Sequence, residues 1–204
     1  MAAEPALSLS GVGGEETDAL LRRFGMEPEG AYFCICVRRW PGVEQKAEVF
    51  ARAAEYAWKR HGMTPVLLSV NLKQDAESAA QVRALIGAET PCHIVTEGMT
   101  VEQVIGFLAR MRAVMAMRLH PLIFAASQAV PLIGVSYDPK VASFLADVAP
   151  AECIDFSALE RAEQLYPLID AAAGADRETL RAATERLRAA ERRNTDTARR
   201  FLIS

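Results

Sequence analysis

The sequence predicts an α/β fold: a Rossmann-like parallel sheet of about six strands with helices on both faces. Short, almost wholly apolar runs, typical of strands buried on both sides, alternate with longer segments whose apolar residues recur at helical spacing. The connections between them are short, as expected for right-handed β–α–β crossovers. Beyond residue 156 the chain has helical spacing to its end, which predicts a helical C-terminal extension.

The predicted elements divide the chain into three parts. Residues 1–30 form an N-terminal segment or linker with a short helix at 17–24, residues 31–156 form the Rossmann-like domain, and residues 157–204 form C-terminal helices. Within the domain we expect six strands, at residues 32–37, 65–70, 93–96, 113–117, 131–135 and 153–156. We expect helices after the first five of them, at residues 43–61, 75–86, 100–111, 119–128 and 140–147.

Local signals mark several helix ends. Gly62 follows the first long helix and suits a C-cap, because glycine adopts the left-handed conformation without strain. Thr100 and Gln103 have the spacing of a capping box. Asp138 followed by Pro139 is equally a helix-entry signal.

The C-terminal extension is read as two helices, at 157–173 and 176–202. The second carries eight arginines interleaved with acidic residues and a thin apolar seam of Leu180, Leu187 and Ala190. This pattern fits a solvated face supported by ion pairs. The alternative is that the helix packs on a second lobe.

Composition excludes several classes of protein. Of the 204 residues, 51% are apolar and 24% charged, as in an ordinary globular domain, and the net charge of −3 argues against a nucleic-acid binder. No apolar run is long enough for a transmembrane segment, so we expect a cytoplasmic protein. The four cysteines form no Cys-x-x-Cys pair, which favours reduced thiols and no metal site.

The most informative segment joins the fourth strand to its helix. Arg118 and His120 stand where the first N–H groups of a helix lack partners and the helix dipole is positive, which suits a phosphate or carboxylate. Arg38 ends the first strand, which neighbours the fourth in Rossmann order, so two guanidinium groups should meet at the carboxyl edge of the sheet. The end of the fifth strand adds Ser136, Tyr137 and Lys140 as candidates for the same cleft.

These residues also carry a resemblance. Arg-Leu-His at 118–120, then Val-Pro-x-Ile-Gly-x-Ser-Tyr-Asp-Pro-Lys-Val at 130–141, with Arg-x-Trp at 38–40, is similar to the polysaccharide pyruvyl transferase family. The likeness runs from about residue 32 to about residue 145. It implies transfer of the enolpyruvyl group of phosphoenolpyruvate to a sugar diol, giving a pyruvate ketal and phosphate, in cell-wall or exopolysaccharide biosynthesis. The implied fold is the C-terminal, donor-binding lobe of GT-B enzymes.

The resemblance assigns donor binding to Arg38, Arg118, Leu119 and His120, with no cofactor beyond the donor substrate. His120 is then a general acid or a cation that only neutralises phosphate. Expected partners are phosphoenolpyruvate, a saccharide or lipid-linked saccharide acceptor, and an N-terminal lobe or a second copy of the chain. Two alternatives remain: a GT-B glycosyltransferase or epimerase lobe that binds a nucleotide sugar, and a non-enzymatic module that binds a partner through its arginine-bearing terminal helix.

Overall fold

The sheet of this protein has six parallel strands. The structure, a computed structural model, describes residues 5–149 and 152–189. The strand order is β3-β2-β1-β4-β5-β6, so the chain moves outward from β1 in one direction and then crosses to β4 and moves outward in the other. The strands are β1 (Tyr32–Cys36), β2 (Thr64–Leu68), β3 (His93–Val95), β4 (Ala113–Ala116), β5 (Leu132–Ser136) and β6 (Cys153–Asp155). The predicted α/β class, strand number and adjacency of the first and fourth strands are confirmed.

Eight helices are present among the described residues. They are α1 (Gly14–Arg23), α2 (Val43–His61), α3 (Leu72–Leu85), α4 (Val101–Ala109), α5 (Leu119–Ser127), α6 (Pro139–Val148), α7 (Tyr166–Gly174) and α8 (residues 177–189). Two short 3-10 helices, Pro5–Ser8 and Ala162–Gln164, complete the pattern.

The two faces of the sheet carry separate apolar cores. Phe33 and Ile35 of β1 pack with α2, α3 and α7, whereas Cys34 and Cys36 pack on the other face with α1, α4, α5, α6 and α8. This alternation follows from the two-residue period of a strand. The two thiols lie on one side, as predicted, and their sulfurs are 3.8 Å apart with no disulfide bond between them. Burial raises the pKa of the Cys34 thiol, which therefore stays protonated.

The local signals are confirmed. The Thr100 hydroxyl accepts from the Gln103 N–H at 3.2 Å, and the Gln103 side chain accepts from the Thr100 N–H at 3.1 Å, so the capping box forms. Gly62 ends α2 in the left-handed conformation. Asp138 accepts from the N–H of Lys140 at 2.8 Å and caps α6.

The prediction of one helix over 157–173 is wrong in its first half. Asp155 accepts from the Ser157 N–H at 2.7 Å and holds a turn there, and hydrogen bonds from Ser157 lower the pKa of this carboxylate. The α-helix begins only at Tyr166. Proline is tolerated only in the first turn of a helix, and Pro167 is the second residue of this one. The third helix also begins earlier than predicted, at Leu72, with Asn71 as its N-cap.

Both ends of the described chain pack on the domain. Leu7 and Leu21 of the N-terminal segment are buried, and so is Leu180 of α8, while Leu187 packs against the same core. The Arg188 guanidinium donates to the carbonyl of Leu7 at 2.9 Å and thereby ties the two ends together. The third residue of the predicted seam, Ala190, lies outside the described residues. No helix of the described part combines the length and apolarity needed to cross a bilayer.

Candidate functional site

The strand ends bring the predicted site residues to one edge of the sheet. Cys36 of β1 pairs with Ala116 of β4, so Arg38 and Arg118, each two residues further on, are level with each other. The register between β4 and β5 pairs Ala116 with Gly134 and places the end of β5 beside Arg118. Ligands of open parallel sheets bind at this edge.

A cleft of about 320 Å³ opens between these strand ends. Six of the seven predicted site residues line it; Ser136 does not, because its side chain is buried and its hydroxyl donates to the Asp138 carbonyl at 3.0 Å. The residues that line the cleft are Arg38, Arg118, Leu119, His120, Tyr137, Asp138, Lys140 and Val141.

Arg38 packs against two aromatic rings that also contact each other. Its guanidinium carbon lies 5.2 Å from the centre of the Trp40 ring and 4.7 Å from that of Tyr137, and its Nη1 makes a close hydrogen bond to the Tyr137 hydroxyl. Cation–π contacts of this kind fix a guanidinium without using its donors. The Nε atom is buried and has no partner among the described residues. A buried unpaired donor costs about 1–3 kcal/mol, so this atom is suited to an anionic ligand.

Arg118 has a different environment. Its Nε and Nη2 donate to Asp75 at 2.6 and 2.8 Å, and Nη2 also donates to Gln74 at 3.2 Å. Asp75 is only 1% exposed, and a buried carboxylate needs such a counter-charge. From the sequence we expect both guanidinium groups to bind a ligand; among the described residues, Arg118 keeps only Nη1 without a hydrogen bond.

Asp75 is the residue that sequence reasoning missed. Besides Arg118, it accepts from the backbone N–H of Arg39 at 3.2 Å, so one carboxylate joins α3, the end of β4 and the loop after β1. Its position in the first turn of the helix after β2, the strand next to β1, is the signal that could have indicated it.

The two arginine side chains reach across each other at the cleft. Arg38 extends from the end of β1 to Tyr137, the residue that follows β5. Arg118 extends from the end of β4 to Asp75, which lies in the helix after β2. Each is thus anchored on the opposite flank of the β1–β4 pair, and both still line the cleft. Anchoring at a distance fixes the guanidinium groups before a ligand arrives, which lowers the entropy lost on binding.

The N-termini of α5 and α6 differ in what they offer an anion. At α6 a carboxylate, Asp138, already occupies the end of the helix. At α5 the N-cap is Arg118, whose side chain accepts no hydrogen bond, and Pro121 has no N–H. The N–H groups of Leu119 and His120 are therefore left for a ligand at the positive end of α5.

His120 and Lys140 add two exposed, nitrogen-bearing side chains to the rim of the cleft. Both side chains are exposed, and neither hydrogen-bonds to another described residue. The imidazole of His120 has one ring neighbour, Phe124, at a centroid distance of 6.0 Å. The site thus combines a fixed, partly unpaired guanidinium, a clamped guanidinium, an open helix N-terminus and two free side chains.

We expect Asp75→Ala to lower the free energy of unfolding by about 1–3 kcal/mol, because it leaves the half-buried Arg118 without its charged partner. Urea denaturation measures the change. Asp147→Ala removes a carboxylate that is exposed and lacks a partner among the described residues, and serves as the matched control. Its effect should stay within about 0.5 kcal/mol. Equal midpoints for the two variants would contradict a structural role for the Asp75–Arg118 pair.

The sequence also matches a known protein family. A sequence model of the polysaccharide pyruvyl transferase family matches residues 2–139, about two thirds of the chain. Among curated proteins, none matches the sequence with significance.

Solved structures share the fold at low sequence identity. The UDP-GlcNAc 2-epimerase of Methanocaldococcus jannaschii superposes with a TM-score of 0.58 at 10% identity, covering 91% of this chain and 50% of the epimerase. The E. coli ADP-heptose LPS heptosyltransferase II gives 0.55 at 16% identity, over 86% and 53%. A UDP-forming trehalose-phosphate synthase from Burkholderia xenovorans gives 0.53 at 14%, over 91% and 48%. The fold is therefore that of one GT-B-like lobe, and the chain spans about half the length of these proteins.

Proposed function

Since the chain belongs to the polysaccharide pyruvyl transferase family, we propose that it supplies the phosphoenolpyruvate-binding lobe of a pyruvyltransferase. The reaction is transfer of the enolpyruvyl group to a sugar diol, giving a pyruvate ketal. The observation that carries this proposal is the buried, unpaired Nε of Arg38 in a cleft that also holds Arg118 and the open N-terminus of α5.

The donor and the cleft have complementary charges. Phosphoenolpyruvate carries a carboxylate and a phosphate on the same carbon skeleton, and its site needs at least two separated groups of donors. Arg38 offers Nε and Nη2, while Arg118 offers Nη1 next to the N–H groups of Leu119 and His120. Planar guanidinium donors suit either anion, and the ammonium of Lys140 adds a charge that can follow the phosphate as it leaves.

We assign His120 a role at the reacting carbons of the donor. In pyruvyl transfer, one sugar hydroxyl bonds to C2 of the donor while its methylene carbon takes a proton and becomes a methyl group. The second hydroxyl then displaces phosphate from C2 and closes the ketal; the proton lost by the first hydroxyl balances the one added to the methylene carbon, and the proton lost by the second leaves with the phosphate. An imidazole exchanges protons near neutral pH, so we assign His120 the proton delivered to the methylene carbon.

The second substrate, the acceptor, also needs a binding site. Because the chain spans about half of its structural neighbours, we propose that acceptor groups also come from a second lobe or a second copy of the chain. The acceptor is a saccharide or lipid-linked saccharide that provides two neighbouring hydroxyl groups. Closure around the donor would exclude water, which otherwise competes for the reacting carbon.

Replacement of Arg38 tests donor binding. Arg38→Ala should weaken phosphoenolpyruvate binding by about 10- to 100-fold, as expected for the loss of charge-assisted hydrogen bonds worth about 1.5–3 kcal/mol. Calorimetry gives the affinity, and the ligand-induced rise in melting temperature gives an independent readout. Arg39→Ala is the matched control, because this neighbouring side chain is exposed and does not line the cleft, while its backbone N–H to Asp75 is retained.

Two outcomes would contradict the proposal. One is an equal loss of affinity in the two variants. The other is stabilisation of the wild-type protein by UDP-N-acetylglucosamine and not by phosphoenolpyruvate, which would favour a nucleotide-sugar lobe of the kind seen among the structural neighbours.

A further inference from the structure

Trp40 exposes a large apolar surface at the mouth of the cleft. The side chain is 36% exposed and lies in the loop between β1 and α2. Its ring contacts two residues that line the cleft. The guanidinium carbon of Arg38 lies 5.2 Å from the ring centre, and the ring centroid of Tyr137 lies 4.4 Å away. Leaving this apolar area in contact with water forgoes part of the free energy that its burial would contribute to folding.

The indole is held in place and does not fold down over the cleft. It packs on Tyr137 with an angle of 43° between the ring planes. The Trp40 carbonyl accepts from the Val43 N–H at 3.0 Å, and the preceding residue donates its N–H to Asp75 at 3.2 Å. Gly42 has φ +88°, a conformation that turns the loop and that other residues adopt with strain. The loop therefore presents the ring in one orientation.

We propose that Trp40 is the stacking platform for a pyranose ring of the acceptor saccharide. A pyranose has an apolar face of C–H groups, while its hydroxyl groups point mainly outward. The negative face of an aromatic ring attracts polarised C–H groups, and stacking leaves the sugar hydroxyls free to face the donor. Because Arg38 contacts both Trp40 and the donor cleft, a sugar on the indole lies beside C2 of a donor held by that arginine.

This inference rests on the proposed function, since it places the acceptor next to the donor. It commits to a saccharide for two reasons. The family acts on polysaccharides, and the residue before Trp40 in the chain, Arg39, has an exposed side chain with no partner among the described residues, whose donors suit hydroxyl groups. A nucleobase could also stack on an indole, and it is one outcome of the test.

Fluorescence of Trp40 provides a direct test. The chain has two tryptophans, and Trp58→Phe in α2 leaves Trp40 as the sole reporter without touching the cleft. In this variant, saturating phosphoenolpyruvate is added first, and methyl glucoside, methyl galactoside and methyl mannoside are then titrated. We expect a saturable change in Trp40 emission with at least one pyranoside. Mannitol, which has hydroxyl groups but no ring face, should give none.

A second variant separates stacking from support of Arg38. By calorimetry, Trp40→Ala should weaken pyranoside binding by about tenfold, and Trp40→Phe should restore part of it. Phosphoenolpyruvate affinity should change by less than about threefold, because Tyr137 still holds Arg38.

Three results would overturn the inference while leaving donor binding intact as a separate finding. They are the absence of a saturable change with every pyranoside, a change produced by uridine instead, and equal loss of sugar and phosphoenolpyruvate affinity in Trp40→Ala. Loss of phosphoenolpyruvate binding in the wild-type protein would instead contradict the proposed function.

Discussion

Glutamine in place of His120 is expected to slow pyruvyl transfer by about 10²- to 10⁴-fold while phosphoenolpyruvate remains bound. The amide keeps a neutral hydrogen-bond donor at the first turn of α5 but cannot deliver a proton to carbon. The imidazole is exposed and hydrogen-bonds to no other described residue, so its removal should not disturb the fold. In the proposed site, donor affinity depends on Arg38, Arg118 and the backbone N–H groups, all of which remain.

The measurement compares binding with chemistry. Calorimetry gives the dissociation constant of phosphoenolpyruvate, and phosphate release in the presence of an acceptor diol gives the rate with enzyme in excess. His61→Gln is the matched control, because this histidine ends α2 and pairs with Asp170, away from the cleft. Loss of affinity together with rate in His120→Gln would show that the imidazole only neutralises phosphate. Unchanged rate and affinity would remove it from the mechanism.

The sheet could be predicted because its physical signals are local. Each buried strand is a short apolar run, and each following helix has its own caps, such as Thr100 and Asp138. The Rossmann class then implies the strand order, including the adjacency of the first and fourth strands, without knowledge of individual contacts. For the same reason, the meeting of Arg38 and Arg118 at one edge could be predicted from strand ends alone.

Side-chain partners could not be predicted in this way. The pairing of Arg118 with Asp75 joins residues 43 positions apart, and that of Arg38 with Tyr137 joins residues 99 apart. Periodicity indicates which face a residue occupies but not which of several neighbours it contacts. The turn at Ser157 was not predicted because the hydrogen bonds that the Asp155 carboxylate accepts from Ser157 outweigh helical spacing over the next residues.

These pairings change how the cleft works. A cleft with two free arginines would offer a ligand two equivalent guanidinium groups, whereas the structure has one held by Tyr137 and one paired with Asp75. Asp75 partly offsets the charge of Arg118, so Arg38 and Lys140 carry most of the uncompensated positive charge.

The close packing of β5 on α6 sets the position of Tyr137 and therefore of Arg38. A Cβ atom added at Gly134 would lie 1.9 Å from Cδ1 of Leu145, a side chain that is fully buried and cannot swing into solvent. We expect Gly134→Ala to lower the free energy of unfolding by about 1–3 kcal/mol through overpacking. Gly174→Ala is the matched control, since nothing lies within 4 Å of its added Cβ and its φ is not positive.

A double-mutant cycle with Leu145→Ala identifies the cause. Leu145→Ala alone should cost about 2–5 kcal/mol, because it leaves a cavity in the core. Since the added methyl of Gly134→Ala partly fills that cavity, the double variant should be more stable than the sum of the single effects predicts, by about 1 kcal/mol or more. Urea denaturation provides all four values. Additive effects would show that Gly134 is required for a reason other than contact with Leu145. If overpacking also shifts the end of β5, Gly134→Ala should weaken phosphoenolpyruvate binding, and the second substitution should restore it, because Tyr137 returns to Arg38.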